Sequence, residues 1–157
     1  MRKKAMTLIE TTVYLALFGV AFLLIVEFGL RMSEYQRLSL NRTEIQKAVI
    51  VINQEFLSSI DTANSIDATS EFDTNKGNLI LNTDSGNVTF GVSNNKLIKT
   101  DSTEQINLTS DDQIVSNFIF SEILSDEGEI AGVSIDLTIQ YAKNTNVSES
   151  LSTIYAL

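Results

Sequence analysis

The sequence predicts an α+β protein, one long N-terminal helix packed on an antiparallel β-sheet head. Three observations lead there. The 157 residues contain no proline, so nothing in the chain forbids a very long helix. An apolar run near the N terminus passes into a helical stripe without a turn-forming residue between them. After residue 61 the chain breaks into short β-rich runs separated by Asn, Asp, Ser and Gly. A helix first and strands after it is the element order of α+β folds.

The helix is the first element to justify. From Thr11 to Leu30 the chain is apolar apart from two threonines, one tyrosine and Glu27. Twenty helical residues rise roughly 30 Å, the thickness of a bilayer's hydrocarbon core. Arg2, Lys3 and Lys4 precede this run, and basic flanks stay cytoplasmic, so the chain beyond the span is expected outside. A secretory signal peptide has a shorter apolar core of about 7–15 residues and ends at a break, which is missing here. Glu10 stands at the entrance. A charge deep in a membrane helix costs about 2.5–3.5 kcal/mol on insertion scales, so an acid here calls for a partner. Glu27 sits where the helix leaves the membrane, four residues before Arg31, at the spacing of an i,i+4 ion pair.

Beyond Arg31 the pattern becomes amphipathic. Tyr35, Leu38, Ile45, Val49, Ile52, Phe56 and Ile60 recur every 3, 4 or 7 residues, with Glu34, Arg37, Arg42, Glu44, Lys47 and Glu55 between them. Met32–Ile60 is therefore expected to continue the membrane helix and to lay this stripe on the sheet. Asp61–Gly77 reads as a loop.

The expected strands are Asn78–Thr83, Asn87–Val92, Lys96–Lys99, Gln105–Leu108, Ile114–Leu124, Val133–Tyr141 and Ser150–Ala156. Asp84-Ser85-Gly86 and Ser93-Asn94-Asn95 supply turns, and Ser125–Glu129 supplies a hairpin loop. Strict alternation in Ile114–Leu124 places Val115 on the face opposite Phe118 and Phe120. The domain plan is a leader at 1–5, a membrane helix at 6–30, a helical arm at 31–63 and a β-rich head at 64–157.

Composition removes several function classes. Cysteine and histidine are absent, so there is no thiolate, no imidazole base and no zinc site of the usual kind. No nucleophile–base set or phosphate-binding loop is found, and the protein is not expected to be an enzyme. The net charge is −9, and three of the 11 basic residues lie within the first four positions. Direct nucleic-acid binding is not expected of so acidic a body. The dense oxygen clusters are Asp111-Asp112 and Ser125-Asp126-Glu127-Gly128-Glu129, and calcium would take such ligands. Neither has the alternating spacing of an EF-hand loop, so no cofactor is expected and calcium is the one ion left open.

The entrance carries a resemblance. Lys3-Lys4-Ala5-Met6-Thr7-Leu8-Ile9-Glu10 resembles the processing signature of type IV prepilins and type II secretion pseudopilins. Those have a short basic leader, a small residue at the cut, then a hydrophobic residue followed by Thr-Leu-Ile-Glu. The usual form has Gly before the cut and Phe after it, where this chain has Ala5 and Met6. Leu108–Asp112 with Ile114–Phe120, and the helix stretch Gln46–Ala63, are similar to parts of larger minor pilins and J-type minor pseudopilins.

The resemblance implies a pilin-like fold and a defined life history. A prepilin peptidase would cut between Ala5 and Met6 and N-methylate the new amine at Met6. Glu10 would then pair with the charged N terminus of a neighbouring subunit. Partners would be that peptidase, other pilin or pseudopilin subunits, an inner-membrane assembly platform and, before assembly, membrane lipid. The subunit would start as a single-pass bacterial inner-membrane protein, with a cytoplasmic N terminus and an extracytoplasmic head. It would then join or initiate an extracellular or periplasmic filament. Two alternatives stand beside this: a display module at a filament tip for adhesion or DNA uptake, and a membrane-anchored protein that never polymerises.

Overall fold

The computed structural model describes residues 7–125, 128 and 130–156. Ala5, Met6 and the basic leader, together with Asp126, Glu127 and Glu129 of the acidic loop, lie outside the described residues. Helix α1 runs Leu8–Asp61, 54 residues without a break. Eight strands follow: β1 Ala63–Ile66, β2 Leu79–Thr83, β3 Gly86–Ser93, β4 Lys96–Thr100, β5 Gln105–Asn107, β6 Gln113–Leu124, β7 Ile130–Tyr141 and β8 Asn144–Ala156. The α+β order is as the sequence predicts.

The chain divides into two compact units, Met1–Leu40 and Asn41–Leu157. In the first, the helix buries nothing from Leu8 to Arg37. Leu15, Leu23, Ile25, Phe28 and Leu30 are all more than 60% exposed, and Phe18 stacks on Phe22 with ring centroids 6.5 Å apart. Apolar side chains on every side of a helix are the mark of a segment whose partner is lipid or other apolar helices.

The second unit is a helix lying on two sheets. Strands β1 to β5 form one antiparallel meander and β6 to β8 another, each strand pairing with its neighbour in sequence. One continuous meander was the expectation from the strand order. The chain instead changes sheets at Leu108–Asp112, where Lys96 of β4 donates its ammonium to the carbonyls of Ser110 and Gln113. The buried Gln113 takes the Ser110 amide on Oε1 (3.2 Å) and reaches the Glu44 carbonyl with Nε2 (3.5 Å).

The helix stripe is buried at Ile45, Ile52, Phe56, Ser59 and Ile60. Tyr35 stays exposed, and Leu38 and Val49 are only half-buried, so the core stripe is shorter than the periodicity suggests. Phe56 sits at the centre. Its ring is 4.5 Å from Phe90 on β3, 6.1 Å from Phe118 on β6 and 6.3 Å from Tyr155 on β8, so one side chain ties both sheets to the helix. Lys99 adds a pair to Glu55 at 2.8 Å, with its ammonium 5.9 Å from the Phe90 ring centroid.

Two features of the strands depart from the sequence expectation. Val115 is buried on the same side as Phe118 and Phe120, not opposite them. The β6–β7 register shifts between Val115 and Asn117, so Ser116 is an extra residue. A bulge of one residue reverses the alternation and brings Val115 back to the core. The loop expected over Asp61–Gly77 contains β1, which pairs with β2 through its own register shift at Ala63/Ser65. The rest of it runs beside β6. The Asp73 amide donates to the Phe120 carbonyl (2.9 Å), the Lys76 amide to the Phe118 carbonyl (2.7 Å), and Asn75 Oδ1 accepts the Phe118 amide (3.1 Å).

Turn chemistry follows the sequence closely. Asn94 and Asn95 take φ of 50° and 61°, the pair of left-handed conformations of a type I′ hairpin between Ser93 and Lys96. Gly86 takes φ 117° where β3 leaves the Asp84-Ser85 turn.

Candidate functional site

Thr7-Leu8-Ile9-Glu10 opens the helix, and its geometry is that of an N-cap. Thr7 precedes the first helical residue, and its Oγ1 accepts the Glu10 amide at 3.3 Å. Its carbonyl accepts the Thr11 amide at 3.1 Å, the first bond of the helical ladder. Thr11 and Thr12 turn their hydroxyls back to the carbonyls of Thr7 and Leu8, at 3.2 and 2.8 Å. Those hydroxyls are thereby bonded inside the helix, the arrangement in which threonine enters lipid at least cost.

This cap is legible in Thr-X-X-Glu, the capping-box spacing, which sequence reasoning passed over in favour of a partner for the carboxylate. An acid in the first turn also faces the positive end of the helix dipole. Glu10 is therefore placed at the N3 position, and its side chain is exposed. Leu8 and Ile9 beside it are 86% and 76% exposed. Glu10 thus lies among uncovered apolar side chains of its own unit, with its backbone amide already used and its carboxylate available to a second group.

Glu27 and Arg31 form the i,i+4 pair that the spacing predicts. Both the Nε and an Nη of Arg31 donate to one carboxylate oxygen, at 3.2 and 2.8 Å. Both side chains are exposed, so the pair is worth little in water. At a membrane boundary it lets two charges leave the lipid together.

In the second unit, one acid of the Asp111-Asp112 pair is engaged within the fold. Asp112 pairs with Lys143 at 3.1 Å, and its carbonyl accepts the Ala142 amide at 2.7 Å. Among the described residues, no group of three or more acidic side chains stands close enough to hold a metal ion. Asp101 is committed to its own loop. Its Oδ1 accepts the Thr103 hydroxyl (2.7 Å), the Thr103 amide (2.7 Å) and the Glu104 amide (2.9 Å). The Thr103 side chain and these amides hold its pKa down to about 2. Asp67 is lowered in the same way by the hydroxyl and amide of Thr69.

A cleft of about 470 Å³ lies between the C-terminal turn of α1 and the β2–β3 and β4–β5 turns, lined by Ser58, Thr62, Asp84, Ser85, Lys99 and Asp101 among others. Lys99 is held by Glu55, and Asp84 by the Asn64 amide at 2.6 Å. The hydroxyls of the cleft face no imidazole or thiolate, since the chain has neither, and the arrangement offers polar contact.

Comparison with protein-family models, with curated proteins and with solved structures yields no match.

Proposed function

We propose that this chain is a minor subunit of a type IV pilus-like filament or pseudopilus. It is made as a membrane prepilin, cut between Ala5 and Met6, N-methylated at Met6 and assembled through its N-terminal helix. The observation that carries this is the entrance at Thr7–Glu10, which leads directly into a helix exposed and apolar on every side as far as Leu30. A helix of this kind buries its surface only in lipid or among like helices, so exchanging lipid for neighbouring subunits is its natural assembly route.

In this mechanism the cut converts a basic leader into a single positive amine four residues before Glu10. In the assembly each charge takes its counterpart from a neighbouring subunit. A charge left unpaired in lipid is the costly outcome, and that cost sets the axial register between subunits. The filament is then a heterologous, non-closing assembly. The platform, the peptidase and the fellow subunits named from the sequence are its working partners. The β-rich unit supplies the filament's outer surface, and adhesion or DNA uptake would be roles of that surface.

The capping geometry favours a second reading. If Glu10 serves only as an N3 residue, the chain is a single-pass anchored protein that does not polymerise. Mass spectrometry of the native N terminus separates the two. A methylated Met6 terminus supports the prepilin route, whereas an intact Met1 or a cut elsewhere sinks it.

A further inference from the structure

Strand β8 is the one long sheet edge that the fold leaves open among the described residues. The two sheets have four edges. In the five-stranded sheet the edges are β1, four residues with a bulge, and β5, three residues. Short or bulged edges are poor templates for another strand. In the three-stranded sheet, β6 is covered along its middle: the Asp73 and Lys76 amides and the Asn75 side chain bond Phe120 and Phe118, and the Val115 amide donates to the Asn95 carbonyl at 2.8 Å. The edge β8 runs 13 residues, with a register shift over 144–148 and a regular ladder to β7 from Ser148 to Ala156; it pairs with β7 on one side only, and among the described residues takes no backbone bond from any loop on the other.

Its side chains carry one of the usual defences, an inward-pointing charge, and lack the others. Asn144–Ala156 contains no Pro, Lys or Arg, and its single charge is Glu149. Glu149 points inward, where its carboxylate accepts the Gln46 amide at 3.0 Å. On the outward face Ser148, Ser150, Ser152 and Ile154 follow one another, all exposed. Ile154 is 70% exposed, while the neighbouring Tyr155 is buried against Phe56.

We propose that β8 pairs with β8 of a second copy, antiparallel about a two-fold axis at Leu151, joining two three-stranded sheets into one of six strands. The occupant is a second copy because the strand is complementary to itself. With Leu151 on the axis, Ser150 faces Ser152, Glu149 faces Thr153, and Ser148 faces Ile154 across the junction, all within the regular stretch of the strand. No like charges meet. That matters in a protein of net charge −9, whose copies repel over most of their surface. The nearest outward acid is Asp136, opposite Ser152 on β7. Two such residues would stand three strand spacings apart, about 14 Å, beyond the screening length of about 8 Å in physiological salt. The pairing is isologous and closes at two, so it is distinct from filament growth through the helix and does not depend on it.

The absence of cysteine makes the test clean. Full-length chains carrying Ser150→Cys and Ser152→Cys, with tags of different length, are mixed in detergent micelles and oxidised. The expected product is the 150–152 heterodimer, several-fold in excess of either homodimer, with no product from a Ser134→Cys control on β7. In parallel, sedimentation compares two double variants. S150K/S152K places lysines opposite lysines twice and is expected to raise the dimer Kd about tenfold. S150D/S152K places opposite charges across the junction and is expected to hold the wild-type Kd or tighten it. Circular dichroism melts confirm that both fold. Equal homo- and heterodimer yields, or a dimer as strong in S150K/S152K as in S150D/S152K, overturn the proposal. Repeating both readouts with Glu10→Gln keeps failure of the edge pairing separate from failure of the filament mechanism.

Discussion

Glu10→Gln separates the two roles that the helix entrance can play. The cap bond in the structure is accepted by Thr7 Oγ1 from the backbone amide of residue 10, at 3.3 Å, so it survives any side chain at that position. Glutamine also serves at N3 of a capping box, so the helix start is preserved. What is lost is the charge. If the carboxylate offsets a lipid-buried amine, removing it exposes a penalty of about 2.5–3.5 kcal/mol on insertion scales, or about 60- to 300-fold in the assembly equilibrium. Thr7→Ala is the complementary change. It removes the cap and keeps the charge, at a cost of about 1 kcal/mol, or about fivefold. The assay is the ratio of subunit in sheared filaments to subunit in the membrane fraction of its own cells, by immunoblot. Glu10→Gln is expected to empty the filament fraction, and Thr7→Ala to reduce it modestly. If Glu10→Gln enters filaments at the wild-type ratio, the charge-pairing mechanism is refuted and Glu10 is a capping residue.

Other expected outcomes concern the second unit. Phe56→Ala should destabilise it by about 3–5 kcal/mol in chemical unfolding, because one ring meets Phe90, Phe118 and Tyr155; Phe56→Leu should cost clearly less. Lys96→Met should cost about 1–3 kcal/mol by leaving the Ser110 and Gln113 carbonyls without their donor, and thermal melts would read it. Asp101 is held down to about 2 from an ordinary 3.8, so its contribution is present above pH 3.8 and is lost as pH falls through 2. Asp101→Asn should flatten melting temperature against pH in that window. Burial pushes the Tyr155 phenol above its ordinary value of 10.0, which favours the neutral form in the fold. Its stabilisation is therefore full below pH 10 and is lost as pH rises through the raised value, a slope that Tyr155→Phe should remove.

Local rules, readable in the bare sequence, account for much of this protein. The missing proline and the two apolar patterns specify one helix, whose 54 residues include both the exposed Leu8–Leu30 stretch and the buried Ile45, Ile52, Phe56 and Ile60. Asn94-Asn95 and Gly86 mark their turns because only such residues accept left-handed backbone cheaply. The Glu27–Arg31 pair follows from spacing along one helix. Each of these depends on residues a few positions apart.

Other features arise between residues far apart in the chain. Alternation in β6 puts Val115 on the wrong face, because the bulge at Ser116 is set by pairing with Thr138 and Ile139 on β7. β8 begins at Asn144, six residues earlier than its own β-rich run, since β7 offers a ladder that weak strand formers can join. The polar stretch after Asp61 reads as loop by composition, yet its backbone covers the middle of the β6 edge through bonds to Phe118 and Phe120. The split into two sheets rests on Lys96 reaching carbonyls 14 and 17 residues away. Helix and turn are written in short-range sterics and periodicity, whereas register, sheet partition and edge protection are settled by long-range pairing that no local pattern encodes.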